Sequence, residues 1–71
     1  MDYVPVSSTS ISAIGYDGAS NTLGVRFHNG TEYHYFGVPH EVFESMRMAP
    51  SVGSFLDQNI KKAGYGYARV A

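Results

Sequence analysis

The stretch Thr22 to Phe36, TLGVRFHNGTEYHYF, limits what this chain can fold into more than any other segment. Two runs of alternating apolar and polar residues flank Asn29-Gly30, and a glycine there supplies the positive φ that a tight hairpin needs. Two registers compete. A two-residue turn pairs His28 with Thr31 and puts Glu32 and His34 on the face of Leu23, Val25 and Phe27. A three-residue loop, His28-Asn29-Gly30, pairs Phe27 with Thr31, Val25 with Tyr33 and Leu23 with Tyr35, and sets Arg26 opposite Glu32. Only the second separates apolar from polar on both strands and yields an opposite-charge cross-strand pair, so it is the expected register.

The flanking residues add elements to this hairpin. Met1 to Ser10, with Pro5 ahead of Ser7-Ser8-Thr9-Ser10, reads as a flexible N-terminal arm. Ile11 to Tyr16 reads as a first strand, closed by the turn cluster Asp17-Gly18-Ala19-Ser20-Asn21. After Gly37-Val38-Pro39 the apolar period changes. Val42, Phe43 and Met46 predict a helix over His40 to Met48, with Glu41 and Glu44 early and Arg47 late, as a helix dipole favours. Ala49-Pro50 stops it. Ser51 predicts an N-cap for a second helix to about Ala63, with the stripe Val52, Phe55, Leu56, Ile60 and Ala63, and with Gly64 at its C′ position. The expected fold is therefore α+β: a three-stranded antiparallel meander followed by two α-helices packed on one face. The extended tail Tyr65 to Val70 could return to the sheet as a short C-terminal strand. Residues 11–71 form a single domain in this reading.

Seventy-one residues sit near the lower limit for a self-sufficient core. With no cysteine, neither disulfide nor thiolate metal site reinforces it. Six Tyr and four Phe compensate through their large buried areas, and homo-oligomerisation would bury more. No apolar run approaches the roughly 20 residues of a membrane span. Met1 to Pro5 lacks the basic start and apolar core of a signal peptide, so a cytoplasmic protein is expected. A formal charge of −1 with five Lys plus Arg disfavours tight non-specific binding to duplex nucleic acid. No local nucleophile motif is present, and the expectation is a non-enzyme. His28, His34 and His40 fall at six-residue intervals without a metal-ligand pattern, so neither metal nor cofactor is expected.

Three segments could bind something. Tyr33 and Tyr35 share a strand face and serve either as core or as a stacking platform for bases. Ser51, Gly53 and Ser54 lie at a helix start, which serves either as an ordinary cap or as an anion cradle of free N–H groups and hydroxyls. Lys61, Lys62, Tyr65, Tyr67 and Arg69 interleave the chain's one cationic concentration with aromatics, a pattern suited to phosphates and bases. The alternative is a helix end with dipole-matched lysines, followed by tyrosines that pack down.

In their order along the chain, Ser12-Ala13-Ile14-Gly15-Tyr16-Asp17, Leu23 to Gly30, Tyr33-His34-Tyr35-Phe36, Val38-Pro39 and Ser51-Val52-Gly53-Ser54-Phe55-Leu56 resemble the KTSC domain. This small module is named after the C-terminus of some lysyl-tRNA synthetases and also occurs as a free-standing bacterial or phage protein. The resemblance runs from about Ser8 to Arg69. It implies the fold more than an activity. An RNA-binding role has been suggested for the family, partly from its attachment to a synthetase. Members often carry more basic residues around the second helix and tail, where this chain has Val52, Ser54, Asp57 and Gln58. That departure leaves room for a smaller anionic ligand. The leading expectation is a binding module for RNA or a nucleotide-like anion, with ligand sequestration as one form of that role. Its proposed site is Ser51, Gly53, Ser54, Lys61, Lys62, Tyr65, Tyr67 and Arg69. The alternative is a homo-oligomeric protein–protein adaptor with no nucleotide binding, presenting Phe43, Met46 and Met48 as an apolar patch.

Overall fold

The computed structural model describes residues 1–71. Its order is β1 (Asp2–Pro5), β2 (Ile11–Asp17), β3 (Thr22–Phe27), β4 (Glu32–Phe36), α1 (His40–Arg47), α2 (Val52–Phe55) running into a π-helical turn (Leu56–Lys61), and β5 (Gly66–Arg69). The strands make one antiparallel sheet in sequence order, β1-β2-β3-β4-β5. Four strands therefore precede the helices, not three. The N-terminal segment expected to be a flexible arm carries the fourth: Tyr3 pairs with Gly15 and Val4 with Ile14. Val4 faces the core and Tyr3 the other side, an alternation too short to read through the neighbouring proline and serines.

The central hairpin adopts the three-residue loop. Leu23 lies opposite Tyr35, Val25 opposite Tyr33 and Arg26 opposite Glu32. The Phe27 amide donates to Thr31 O at 2.9 Å, and Gly30 takes φ +91°. Asn29 Oδ1 accepts from the Thr31 amide and hydroxyl, which stiffens the loop. In β2, Ile11 and Ile14 both point inward although they are three positions apart, a spacing that puts residues on opposite faces of a regular strand. An extra residue between Ile11 and Ala13, a β-bulge, makes this possible.

The helices cover one face of the sheet. The core joins Ile11, Ile14, Leu23, Val25 and Tyr35 of the sheet to Val38, Phe43, Met46, Val52, Leu56 and Ile60. The Ser51 side chain caps α2 by accepting from the Ser54 amide at 3.2 Å. The second helix departs from α geometry midway. Over Leu56–Lys61 the winding widens to π geometry, and Leu56 and Ile60 are both buried. The helical segment ends at Lys61, short of Ala63, and Gly64 at φ +81° reverses the chain into β5. Phe43 and Met46 are buried while Met48 is 78% exposed, so the apolar patch expected of these three does not form. The α1 stripe faces the sheet. No helix is long and apolar enough to cross a membrane.

Candidate functional site

Two clefts meet along the π-helical turn. The first, of about 700 Å³, lies between the hairpin loop and the tail. Its floor is aromatic because Tyr33 and Tyr35 alternate on β4 and Tyr67 stands opposite Tyr35 on β5. The ring centroids of Tyr33 and Tyr67 are 6.1 Å apart and those of Tyr35 and Tyr67 are 5.8 Å apart. Phe27 meets Tyr33 edge-on. Tyr35 is 5% exposed, so it supports the floor from beneath, and burial pushes its phenol pKa up. Tyr67 is 66% exposed and offers its ring. Asn29, Thr31 and Lys61 bring polar groups to the rim.

The second cleft, of about 570 Å³, lies between the Ser7 to Ser10 loop and the start of α2. Ser51, Gly53, Ser54, Asp57 and Lys61 line it. Gly53 faces this loop: a Cβ there would lie 3.5 Å from Ser10 Oγ and 3.6 Å from Ser8 Oγ. Ser8 Oγ already accepts from the Ser10 and Ile11 amides, and Ser51 Oγ from Ser54. The capping role of Ser51 is thus realised. Phe27 and Lys61 border both clefts, and Lys61 Nζ lies 3.4 Å from Asp57 Oδ1.

The site residues expected from sequence therefore divide. Ser51, Gly53 and Ser54 gather in one cleft, Tyr65 and Tyr67 in the other, and Lys61 stands between them. Lys62 and Arg69 line neither. Lys62 Nζ donates to Gln58 Oε1 at 3.1 Å, and Arg69 Nε donates to the Ala71 carbonyl at 2.9 Å.

A third constellation went unread in the sequence. On the sheet face away from the helices, the Tyr3 ring lies over Gly15 and Gly24, where added Cβ atoms would collide with the Asp2 carbonyl and with Tyr3 itself. The Tyr3 hydroxyl donates to Glu32 Oε2 at 2.6 Å and sits 3.5 Å from His34 Nε2. The Arg26 guanidinium stacks 3.7 Å from the Tyr3 ring centroid and donates through Nε to Glu32 Oε1 at 2.9 Å. The hydrogen bonds from Tyr3 and Arg26 hold the Glu32 carboxyl below the usual carboxylate range. Burial and the Glu32 bond raise the Tyr3 phenol well above its ordinary value. These contacts clamp β1 to the sheet. The signal was the pair of glycines facing each other on β2 and β3, a groove that only a ring from elsewhere fills.

The comparisons with known proteins agree with this architecture. The model of the KTSC domain matches residues 7–65. A protein of Tsukamurella paurometabola is 44% identical over 57 residues, 80% of this chain and 85% of that protein. An uncharacterized protein of Stutzerimonas stutzeri is 36% identical over 70 residues and covers 99% of both chains. The crystal structure of a KTSC domain protein from Yersinia pestis superposes with a TM-score of 0.90 at 34% identity, covering 99% of this chain and 97% of that one.

Proposed function

The chain belongs to the KTSC domain family, and on that premise we propose that it is a small, non-enzymatic, cytoplasmic binding module for RNA or a nucleotide-like anion. The observation that carries this reading is the position of Lys61. One lysine borders both an aromatic cleft and a cleft lined with hydroxyls and a helix start. A base stacks on Tyr67, with Tyr33 and Tyr65 beside it, and its phosphate reaches Lys61. Stacking on tyrosine is sequence-tolerant and contributes about 1–3 kcal/mol per base. Ser51, Gly53 and Ser54 form the neighbouring anion subsite. Lys62 and Arg69, held elsewhere in the monomer, are left out of direct contact.

Titration of the protein with a mononucleotide and with a single-stranded RNA oligomer, followed by calorimetry and tyrosine fluorescence, tests the reading. Saturable binding is expected, weakened at least tenfold by Lys61→Ala or Tyr67→Ala and little changed by Lys62→Ala. Heat and fluorescence that stay flat with both probes would discard it in favour of the adaptor.

A further inference from the structure

We propose that β5 is a self-association edge, and that two copies of this chain pair antiparallel through it about a two-fold axis at Ala68. The backbone bonding supports this. Phe27 bonds Thr31 across the hairpin, so odd-numbered residues of β4 bond to β3 and even-numbered ones to β5. Glu32 O accepts from the Val70 amide at 2.8 Å, in agreement. On β5, Gly66, Ala68 and Val70 therefore bond inward, and Tyr67 and Arg69 present their N–H and C=O groups at the free edge.

Those two residues are self-complementary. Register about Ala68 makes Tyr67 of one copy and Arg69 of the other a hydrogen-bonded pair, twice over. Cross-strand partners share a face, so the Arg69 guanidinium of the second copy meets the 66%-exposed Tyr67 ring, a cation–π arrangement. Ala68 meets its own copy in the narrow, non-hydrogen-bonded position, where Cα atoms approach to about 4.5 Å and a small side chain fits.

Surface composition agrees. Phe36 is 45% and Val70 47% exposed, so with Tyr67 three of the five exposed large apolar side chains flank this edge. The opposite edge differs: β1 carries Asp2 and Pro5, which discourage pairing, whereas β5 has neither proline nor acid. An isologous contact closes at two copies. It also delivers an arginine to the rim of each aromatic cleft, although it does not depend on what those clefts bind.

The test is sedimentation velocity from low micromolar to millimolar protein, paired with hydrogen exchange. The wild type is expected to approach twice its 7.8 kDa mass. The Tyr67 and Arg69 amides, fast to exchange when dilute, are expected to become protected as the dimer forms. Ala68→Lys places like charges on the axis and is expected to restore the monomer. Arg69→Glu, which leaves the inward bonds intact, is expected to weaken the dimer at least tenfold, so the test does not rest on one variant folding. A monomer at millimolar concentration overturns the proposal. So does a dimer in which those two amides still exchange freely.

Discussion

The Tyr3 clamp shows how two glycines can serve a partner 29 residues from the carboxylate that holds it. A Cβ on Gly24 would occupy space taken by the Tyr3 hydroxyl and ring, so Gly24→Ala must displace the clamp. Overpacking of this kind costs about 1–3 kcal/mol. Urea unfolding should show that loss, and Tyr3→Ala added to Gly24→Ala should add little, because both remove the same contact. Glu32 gives the clamp a pH dependence. Its folded pKa is depressed below 4.5, so its stabilisation is full above that value and is lost as pH falls through the folded value. Glu32→Gln should flatten the acid limb of a stability–pH profile, and a limb as steep as in the wild type would assign acid unfolding to other groups. The clamp as a whole was not legible in the sequence. The Arg26–Glu32 pair was, because hairpin register dictates it, but nothing local in Tyr3 identifies it as the third member.

Among the elements, legibility followed the density of local signals. The hairpin carried a turn dipeptide and alternation on both strands, and its register came through intact. Ser51 and Gly64 marked the ends of the second helical segment because capping and left-handed geometry are chemistry of single residues. The π winding between them left no such mark, since Leu56 and Ile60 at i, i+4 spacing fit one face of an ordinary α-helix equally well. The misread patch of Phe43, Met46 and Met48 has a related cause, since a helix stripe does not say what covers it. Ser51→Ala should lower stability by about 1 kcal/mol in thermal or urea melts. Binding at the tyrosines should survive that change, whereas Lys61→Ala should do the reverse. A Ser51→Ala protein of unaltered stability would mean that the cap is redundant.

At the scale of the whole molecule, charge is the limiting resource. Of the five lysines and arginines, Arg26 pairs with Glu32, Arg47 with Glu44, Lys62 with Gln58, and Arg69 with the chain's own end. Lys61 alone borders the clefts, and Asp57 offsets it. For the single copy, a plot of log binding constant against log salt for single-stranded RNA should therefore have a slope of about −0.7, the value for one neutralised phosphate. A slope several times steeper would require a cationic track along some other surface. The expected eight-residue site was legible as a list of suitable chemistries. Its division into two hollows was not, because it depends on which distant segments close over the π-helical turn, the Ser7 to Ser10 loop on one side and the hairpin and tail on the other.

On the proposed reading, sharing one lysine between adjoining hollows would make their guests rivals. An anion lodged beside the serines would hold that charge away from a molecule resting on the phenols, and the second would hinder the first by an equal factor. Inorganic phosphate in a routine buffer would then be a competitor, and the choice of buffer part of the experiment.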